Sequence, residues 1–349
     1  MRPISDYAEL KISLSQIDYA SITEEKSVQA PLSLSDTKRV SSITVAYNPN
    51  PLRLAQQVAA LRGQVDEIII IDNGSEPSVK SIFEQHNLED KLVEGPRIKR
   101  IALQENQGIA SGFNVGIEEA RREGAEFVLL LDHDSIPAAN MVSKLMAGYL
   151  RAVEHIGKKS VAAVGPRIVD SRDARDYPFI RLGWLHNRHI RCRDRQETLV
   201  ECDFLISSGS LIPIKVFSDL GEFDDALFID SVDLEWCCRA RARQFSLYGV
   251  CETQLDHLLG DQRRIVFSRI KLMVHSPSRI YYMTRNRIML YQRRYMPLKW
   301  KLKDALRMLA KFAATMTFIA PRLEYLRMTI WAIRDAIAQR GGRLRIDRP

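Results

Sequence analysis

Two aspartates that flank His133 stand where a run of apolar residues ends, and their type and spacing suit metal chemistry. Asp132 and Asp134 directly follow FVLLL, which is typical of a strand buried on both faces of a sheet. Carboxylate oxygens are the ligands that Mg²⁺ or Mn²⁺ prefers, and such an ion can bridge phosphate oxygens. The pair alone is a weak signal, because aspartate after a strand often only caps a helix.

Four other polar residues could contribute to binding or catalysis. Asp72 follows four isoleucines and could accept a hydrogen bond from a nucleotide base, or simply form an Asp-Asn-Gly turn. Asp230 and Asp233, in FIDSVDLEW, could take a proton from a hydroxyl, or could only cap a helix. His257 could be a third metal ligand, although a lone histidine is more often structural.

Alternating strand and helix patterns would position these side chains. The patterns predict strands at 43–47, 67–71, 99–103 and 127–131, and helices at 52–61 and 108–122. This β-α-β-α order predicts a Rossmann-like α/β fold with a mainly parallel sheet flanked by helices. Ligands of such sheets bind beyond the carboxyl ends of the strands. Every predicted strand is followed by polar residues, at 47–48, 72–74, 106–108 and 132–134.

Three glycines spaced by four residues, Gly108, Gly112 and Gly116, fall on one face of the predicted helix at 108–122. Neither G-x-G-x-x-G nor G-x-x-x-x-G-K-[ST] occurs, so the sequence does not support a dinucleotide-binding or P-loop site. We therefore expect at least two of these glycines to serve close packing of the helix on the sheet.

The composition indicates a globular protein with reduced thiols. The chain has 349 residues, 46% of them apolar, which is enough for a sizeable core. Its five cysteines, Cys192, Cys202, Cys237, Cys238 and Cys251, include no C-x-x-C pair, and no signal-peptide pattern precedes them. These features predict free thiols in a cytoplasmic protein. No apolar run approaches the ~20 residues that span a bilayer.

Charge is distributed unevenly along the chain. Residues 269–349 carry a net charge of +15 and the remainder −7, which gives the total of +8. Helices are predicted at about 298–319 and 322–339, and the first has an apolar stripe of Leu302, Leu306, Leu309, Ala313 and Met316. This stripe either packs against the body of the protein or attaches the basic region to the anionic inner face of the cell membrane.

Taken in order, the motifs TVAYNPN, IIIIDNGS, ENQGIASGFNVGI, LLLDHDS and FDDALFIDSVDLEWCCRA resemble family 2 glycosyltransferases of the GT-A fold. The resemblance covers residues 42–290, and HSPSRIYYMTRNRIML is similar to the rhamnosyltransferase branch. It implies metal-dependent, inverting transfer from a nucleotide sugar, dTDP-L-rhamnose, to a glycan or polyprenyl-linked acceptor. Synthesis of a cell-surface polysaccharide is the setting that the resemblance implies.

The resemblance also implies roles for individual residues. It assigns the nucleotide-sugar site to Tyr47, Asn48, Asp72, Asn106, Gly108 and Asp132. It assigns the Mg²⁺ or Mn²⁺ site to Asp134, as the stronger ligand, with Asp132 and His257. Many family members carry Glu-Asp in the base motif, where this chain has Asp230 followed by Ser231. Asp230 is therefore the first candidate for the catalytic base and Asp233 the second.

The sequence offers little support for two alternative functions. A sugar-phosphate nucleotidyltransferase would need a glycine-rich phosphate loop containing arginine, which is missing after the first strand. A nucleic-acid-binding protein could use the basic end, but no recognisable module occurs and the body is acidic, so we expect no nucleic-acid partner.

We predict an N-terminal extension at 1–40, a GT-A catalytic domain at 41–268 and a basic helical region at 269–349.

Overall fold

A computed structural model of the chain describes residues 38–85, 95–156, 160–170, 172, 175–184, 186–192, 198–257, 263–266, 270–273 and 275–345. Nearly all of the predicted extension at 1–40 lies outside these residues. The strands are β1 (Val40–Ala46), β2 (Glu67–Asp72), β3 (Arg97–Ala102), β4 (Phe127–Asp132), β5 (Ile136–Pro137), β6 (Val161–Asp170), β7 (Arg175–Tyr177), β8 (Phe179–Arg181), β9 (Arg188–Ile190), β10 (Leu199–Cys202), β11 (Leu211–Pro213), β12 (Ser246–Asp256), β13 (Arg263–Val266) and β14 (Ile270–Met273). The helices are α1 (Pro51–Leu61), α2 (Val79–Gln85), α3 (Ile109–Arg122), α4 (Met141–Ile156), α5 (Ile214–Leu220), α6 (Val232–Ala242), α7 (Pro277–Gln292), α8 (Leu298–Phe318) and α9 (Arg322–Ile337).

A sheet of ten strands forms the centre of the fold. Eight strands lie in the order β10-β12-β6-β11-β4-β1-β2-β3, while β5 pairs with β12 and β7 with β6. β1 runs parallel to β2 and β4, and β2 runs parallel to β3, as the β-α-β order predicts. β11 is antiparallel to β4. Ala46 pairs with Asp72, and Val45 with Asp132, so three strands end at one edge of the sheet.

Helices bury both faces of this sheet. In β2, Ile69 and Ile71 belong to the core layer that includes α3, while Ile68 and Ile70 belong to the layer that includes α1 and α4. A side chain at Gly112 would clash with Val45, and one at Gly116 would clash with Ile43. The predicted helix–sheet packing of two glycines is therefore confirmed.

The basic region beyond the sheet is helical, as predicted, but the stripe of α8 does not pack inward. The buried residues of α8 are Trp300 and Asp304. Leu302, Leu306 and Leu309 are 56%, 69% and 62% exposed. The alternative prediction, that the stripe packs against the body of the protein, is therefore wrong. The reason is that the opposite side of the helix is anchored, where Tyr291 and Arg287 of α7 hold the Asp304 carboxylate.

The cysteines depart from the prediction of free thiols. Cys192 and Cys251 form a disulfide, with Cα atoms 5.4 Å apart, while Cys202, Cys237 and Cys238 are free and buried. The two bonded cysteines are 59 residues apart in the sequence, so no local motif predicts the disulfide. None of the described helices is both long and apolar enough to cross a membrane. The division of the chain at residues 40 and 268 stays a prediction.

Candidate active site

A cavity of about 490 Å³ opens at the edge where β1, β2 and β4 end. Eight of the predicted site residues line it: Tyr47, Asn106, Gly108, Asp132, Asp134, Asp230, Asp233 and His257. Asn48 and Asp72 do not. The topology therefore brings together most of the residues selected from the sequence, although 210 positions separate the first from the last.

Asp132, Asp134 and His257 form a compact cluster at the end of β4. Each offers a ligand atom, and these atoms all lie within 4.8 Å of one another. His257 Nδ1 lies 3.3 Å from Asp134 Oδ1, and His257 Nε2 lies 3.6 Å from Asp132 Oδ2. The Oδ1 atoms of both aspartates are buried, and neither accepts a hydrogen bond from the part of the chain that the structure describes. Two buried carboxylate oxygens without donors, next to an imidazole, suit a divalent cation.

Buried polar side chains hold the turn that carries this cluster. Gln57 of α1 donates from Nε2 to the carbonyls of Asp132 and Ser135, at 2.6 and 2.7 Å. Ser208 Oγ accepts a hydrogen bond from Asp132 N at 3.1 Å. Ser135 Oγ lies 2.8 Å from His257 Nδ1, which ties the turn to the end of β12. The ligand positions are thus fixed by three separate elements rather than by the turn alone.

The charges of the cluster influence one another. Burial raises the pKa of Asp132. Burial also opposes ionisation of Asp134, but the adjacent His257 ring, with Nδ1 3.3 Å from Asp134 Oδ1, prevails and lowers the pKa of that carboxyl. Burial disfavours the charged form of His257, yet Asp134 and Asp132 together raise its pKa. The negative charge of the two aspartates therefore favours the protonated form of His257.

The second group of acids lies on a loop in an unusual backbone conformation. Phe228, Asp230 and Ser231 have φ values of 63°, 63° and 66°, a region that residues with a side chain rarely adopt. Asn286 of α7 holds the loop by donating from Nδ2 to the carbonyls of Leu227, Ile229 and Asp230, at 2.7 to 2.8 Å. Such backbone strain persists only where the surroundings maintain it, and here a single amide reaches three carbonyls.

The two candidate bases on this loop differ in their partners. Arg279 donates to both oxygens of Asp230, at 3.3 and 3.1 Å. Asp233, in the first turn of α6, accepts a hydrogen bond from Leu234 N at 2.8 Å. Burial, with the nearby carboxylates of Asp132 and Asp230 as smaller causes, raises the pKa of Asp233 to about 7. Asp233 can therefore exchange a proton near neutral pH, whereas an arginine already neutralises Asp230.

On the β2 side, Asn73 enters the cavity where Asp72 was expected. The Asp72 oxygens accept hydrogen bonds from Ser75 N at 2.9 Å and from Val79 N at 2.8 Å, so this carboxylate stabilises the turn into α2. Asn48 similarly accepts a hydrogen bond from Glu76 N at 2.8 Å. These hydrogen bonds favour the turn-forming alternative for Asp72, and the predicted nucleotide contacts of Asn48 and Asp72 stay predictions.

Asn73 organises the loop that follows β3. Its Oδ1 accepts a hydrogen bond from Gln107 N at 2.9 Å, and its Nδ2 donates to Gly108 O at 3.2 Å. Gly108 has φ +89°, and a Cβ there would lie 2.4 Å from Phe228 O. A glycine is thus needed for the start of α3 to meet the strained loop, which brings the two walls of the cavity into contact.

Sequence reasoning assigned no role to three residues of the site. Asn73 stands next to the selected Asp72, and its signal was the asparagine in IIIIDNGS. Arg279 and Asn286 belong to HSPSRIYYMTRNRIML, which indicated a branch of the family but no position in the site. Their contacts with the 227–230 loop span about 50 residues, and no local pattern predicts such contacts.

A second cavity of about 410 Å³ adjoins the first. The two share Ile206 in their walls, and Ser207 lines the first while Ser208 lines the second. The walls of the second cavity carry Tyr177, Phe179 and Phe204, with His189 and Arg191 among its polar residues. Aromatic faces with polar groups nearby can accommodate a sugar or another amphipathic ligand.

Comparisons with known proteins agree with this geometry. A family model described as Glycosyl transferase family 2 matches residues 41–221. The chain is 26% identical over 301 residues to the dTDP-rhamnosyl transferase RfbF of Shigella flexneri, and the match covers 85% of this chain and 95% of RfbF.

Two solved structures are similar in fold. The crystal structure of GalNAc-T7 with UDP, GalNAc and Mn²⁺ matches at a TM-score of 0.55 and 16% identity, over 88% of this chain and 58% of that chain. Crystalline S. aureus TarS matches at a TM-score of 0.50 and 15% identity, over 86% of this chain and 49% of that chain. The chain therefore spans only part of either solved protein. At these identities the likeness shows the fold alone, which is the predicted GT-A fold.

Proposed function

The chain belongs to glycosyl transferase family 2, and from that premise we propose that it transfers L-rhamnose from dTDP-L-rhamnose to an acceptor hydroxyl. The similarity to the dTDP-rhamnosyl transferase RfbF supports the choice of donor. The observation that carries the proposal is the cluster of Asp132, Asp134 and His257 in one cavity with Asp233. Family membership also argues against the alternative of a sugar-phosphate nucleotidyltransferase.

The donor would occupy the part of the cavity next to β1, β2 and α3. Tyr47 is 45% exposed and lines the cavity, so its ring is available to a nucleotide base or ribose. Asn73 and Asn106 contribute amides, and Gly108 lines the cavity at the start of α3, where the sugar diphosphate would lie. The helix start adds a favourable field for an anion.

Asp132, Asp134 and His257 would hold Mg²⁺ or Mn²⁺. Their fit to such an ion rests on the buried Oδ1 atoms of the two aspartates, which accept no hydrogen bond from the described residues. The mixture of two carboxylates and one imidazole suits Mn²⁺ as well as Mg²⁺. A bound divalent cation would offset the negative charge that develops on the departing diphosphate. Gln57 and Ser208 keep the ligand positions in place.

Asp233 is our choice for the catalytic base, ahead of Asp230. Deprotonated Asp233 would accept the proton of the acceptor hydroxyl while the hydroxyl oxygen bonds to the anomeric carbon. The bond from that carbon to the diphosphate breaks on the opposite side, so the configuration inverts in one step. A pKa of about 7 matches a base that works near neutral pH. Arg279 holds Asp230 as part of the loop, which suits a positioning role.

The acceptor and the cellular setting are further parts of the proposal. A glycan or polyprenyl-linked acceptor would enter through the second cavity, because the two cavities share Ile206. Its aromatic walls can stack on a sugar ring. We place the reaction in the cytoplasm, at an anionic membrane surface to which the basic C-terminal region binds, during synthesis of a cell-surface polysaccharide. The excess of lysine and arginine after residue 269 supports this membrane partner.

A panel of nucleotide sugars tests the proposal. The protein is incubated with dTDP-L-rhamnose, UDP-sugars or GDP-mannose, with Mn²⁺ or with EDTA, and nucleoside diphosphate release is measured. We expect release from dTDP-L-rhamnose with Mn²⁺, even with water as a slow acceptor, and none with EDTA. Release from a different nucleotide sugar would correct the donor. Absence of release from every donor, in a protein that binds dTDP and Mn²⁺, would contradict the proposed reaction.

A further inference from the structure

The exposed apolar side chains of the protein are concentrated on two helices. Among the described residues, ten of the fifteen large apolar side chains that are exposed belong to α8 and α9. They are Leu298, Leu302, Leu306, Leu309 and Phe318 of α8, and Leu323, Leu326, Ile330, Ile333 and Ile337 of α9. A concentration of exposed apolar side chains on two helices marks an interaction surface. We call these ten side chains the apolar face.

The spacing of the apolar face shows that each helix has an inner and an outer side. In α9, the exposed residues recur every three or four positions from Leu323 to Ile337, which forms one stripe. The buried residues between them include Tyr325, Met328 and Ala332. In α8, Trp300 and Asp304 anchor the first turns, and the rest of the helix has no buried residue. The packing therefore turns both stripes outward.

The charges beside the apolar face are almost all positive. The exposed bases of the two helices are Arg307, Lys311, Arg322, Arg327 and Arg334. Glu324 is their one exposed acid, because Asp304 and Asp335 are buried. A second copy of the chain docked through this face would bring like charges together at the cost of repulsion. An anionic lipid surface offers both an apolar phase and opposite charge.

We infer that α8 and α9 form an interfacial lipid-binding element, in which the apolar face enters the boundary of an anionic bilayer and the flanking bases contact lipid phosphates. This inference deepens the proposed membrane partner, and only its link to a lipid-carried acceptor rests on the proposed function. In this inference the membrane affinity comes mainly from apolar area that is buried in the bilayer, whereas the affinity of a purely basic patch would come from charge alone.

The element is joined to the cavity through α7. Tyr281 of α7 donates a hydrogen bond to Asp335 of α9 at 2.6 Å, and Arg279 of the same helix reaches Asp230 in the cavity wall. One helix thus contacts both the lipid-binding element and the acidic loop. Attachment through α9 would hold the cavity at a set height and orientation above the membrane, which suits an acceptor carried on a lipid.

Vesicle flotation of the full chain tests the inference. The vesicles are phosphatidylcholine, with or without phosphatidylglycerol, at about 0.1 M and about 1 M salt, where the Debye length falls from ~10 Å to ~3 Å. We expect the bound fraction to increase with phosphatidylglycerol and to fall only in part at the higher salt. The triple variant Leu306→Gln/Leu309→Gln/Ile330→Gln should lose at least about tenfold in binding at both salt concentrations.

The matched control is Leu150→Gln/Val153→Gln, which removes exposed apolar side chains of α4. It should bind vesicles like the wild type, and both variants should hydrolyse dTDP-L-rhamnose at the wild-type rate in the absence of vesicles. That rate reports the proposed function without a membrane, so the two proposals can fail separately. A triple variant that floats normally would overturn the inference, as would complete loss of wild-type binding at the higher salt. The face would instead be assigned to a second copy if the wild type did not bind vesicles and sedimented as a dimer, and the triple variant sedimented as a monomer.

Discussion

The acids of the helical region and the acids at the end of β4 differ in their hydrogen-bond partners. In the helical region, Asp304 accepts a hydrogen bond from Tyr291 at 2.7 Å and lies 3.3 Å from Arg287 Nε. Asp335 there accepts a hydrogen bond from Tyr281 at 2.6 Å. At the end of β4, the Oδ1 atoms of Asp132 and Asp134 are buried, and no described residue donates to them.

The difference separates carboxylates that support the fold from those that need a ligand. A buried carboxylate that is hydrogen-bonded to protein donors is satisfied within the chain. A group of carboxylates with too few donors raises the energy of the metal-free protein and gains from a bound cation. The same residue type thus has opposite roles in the two regions, and the number of protein donors to the carboxylate oxygens distinguishes them. Five predictions test this comparison.

The largest effect is expected for Asp134→Ala. Loss of this ligand should abolish Mn²⁺-dependent release of dTDP from dTDP-L-rhamnose, a decrease of about 10³-fold or more, while the fold persists. Circular dichroism should show an unchanged fold. A folded Asp134→Ala protein with normal Mn²⁺-dependent turnover would remove the metal assignment.

The next effect separates the two acids of the strained loop. Asp233→Asn should lower kcat by about 10²–10⁴-fold and leave dTDP affinity nearly unchanged, because it removes the proton acceptor. Asp230→Asn should lower kcat less, because it only weakens the pairing with Arg279. Turnover and calorimetric dTDP binding of both variants provide the measurement. The reverse order of the two rates would restore Asp230 as the base.

Stability of the metal-free protein should depend on pH through Asp233. Its pKa of about 7 in the folded state exceeds the ordinary value of 3.8, so the Asp233 carboxylate binds a proton more tightly in the folded protein than in the unfolded chain. The stabilisation is complete below about pH 4 and is lost as the pH rises through about 7, at about 1.4 kcal/mol per pH unit at most. The Asp233→Asn variant has no such titration, so its free energy of unfolding should increase relative to that of the wild type as the pH rises from about 4 to about 7. Equal pH dependence of the two proteins in denaturant titrations would contradict the raised pKa.

In the helical region, removal of an acid should affect stability alone. Asp335→Ala leaves the Tyr281 hydroxyl without its acceptor and should lower the free energy of unfolding by about 1–3 kcal/mol. Asp335→Asn keeps an acceptor oxygen and is the matched control. Donor hydrolysis by folded Asp335→Ala should match the wild type, and a hundredfold loss of turnover there would show that the two regions are not separable in this way.

The smallest effect is expected for Asp72→Ala. The sequence predicts weaker nucleotide binding, but the carboxylate accepts hydrogen bonds from Ser75 N and Val79 N. The loss should therefore appear as about 0.5–2 kcal/mol of stability, as for a helix cap, with dTDP affinity nearly unchanged. Asn73→Ala should weaken dTDP binding. Calorimetry that shows tenfold weaker dTDP binding by Asp72→Ala at unchanged stability would return Asp72 to the nucleotide site.

Sequence patterns predicted the parallel half of the sheet well. The apolar runs at 67–71 and 127–131 match β2 (Glu67–Asp72) and β4 (Phe127–Asp132) almost residue for residue. Parallel strands buried on both faces are continuous apolar runs, and their carboxyl ends share an edge. That rule is enough to place Tyr47, Asn106 and Asp132 in one site from the sequence alone, and all three line the cavity.

Long-range contacts and the direction of a face could not be predicted in this way. β11 (Leu211–Pro213) is three residues long and pairs with β4, about 80 residues earlier, so its place depends on the assembled sheet. The amphipathic pattern of α8 correctly indicated a stripe, but periodicity does not state which side faces the protein. Trp300 and Asp304 decide the direction through contacts with α7, which lie outside any local window.

Mn²⁺ binding, measured by equilibrium dialysis in the presence of dTDP, tests the central comparison most directly. Wild type, Asp134→Ala and Asp335→Ala would be dialysed side by side at neutral pH. We predict one tightly bound Mn²⁺ for the wild type and for Asp335→Ala, and loss of that ion for Asp134→Ala. Unchanged Mn²⁺ binding by folded Asp134→Ala would contradict the claim that the acids lacking protein donors form the metal site.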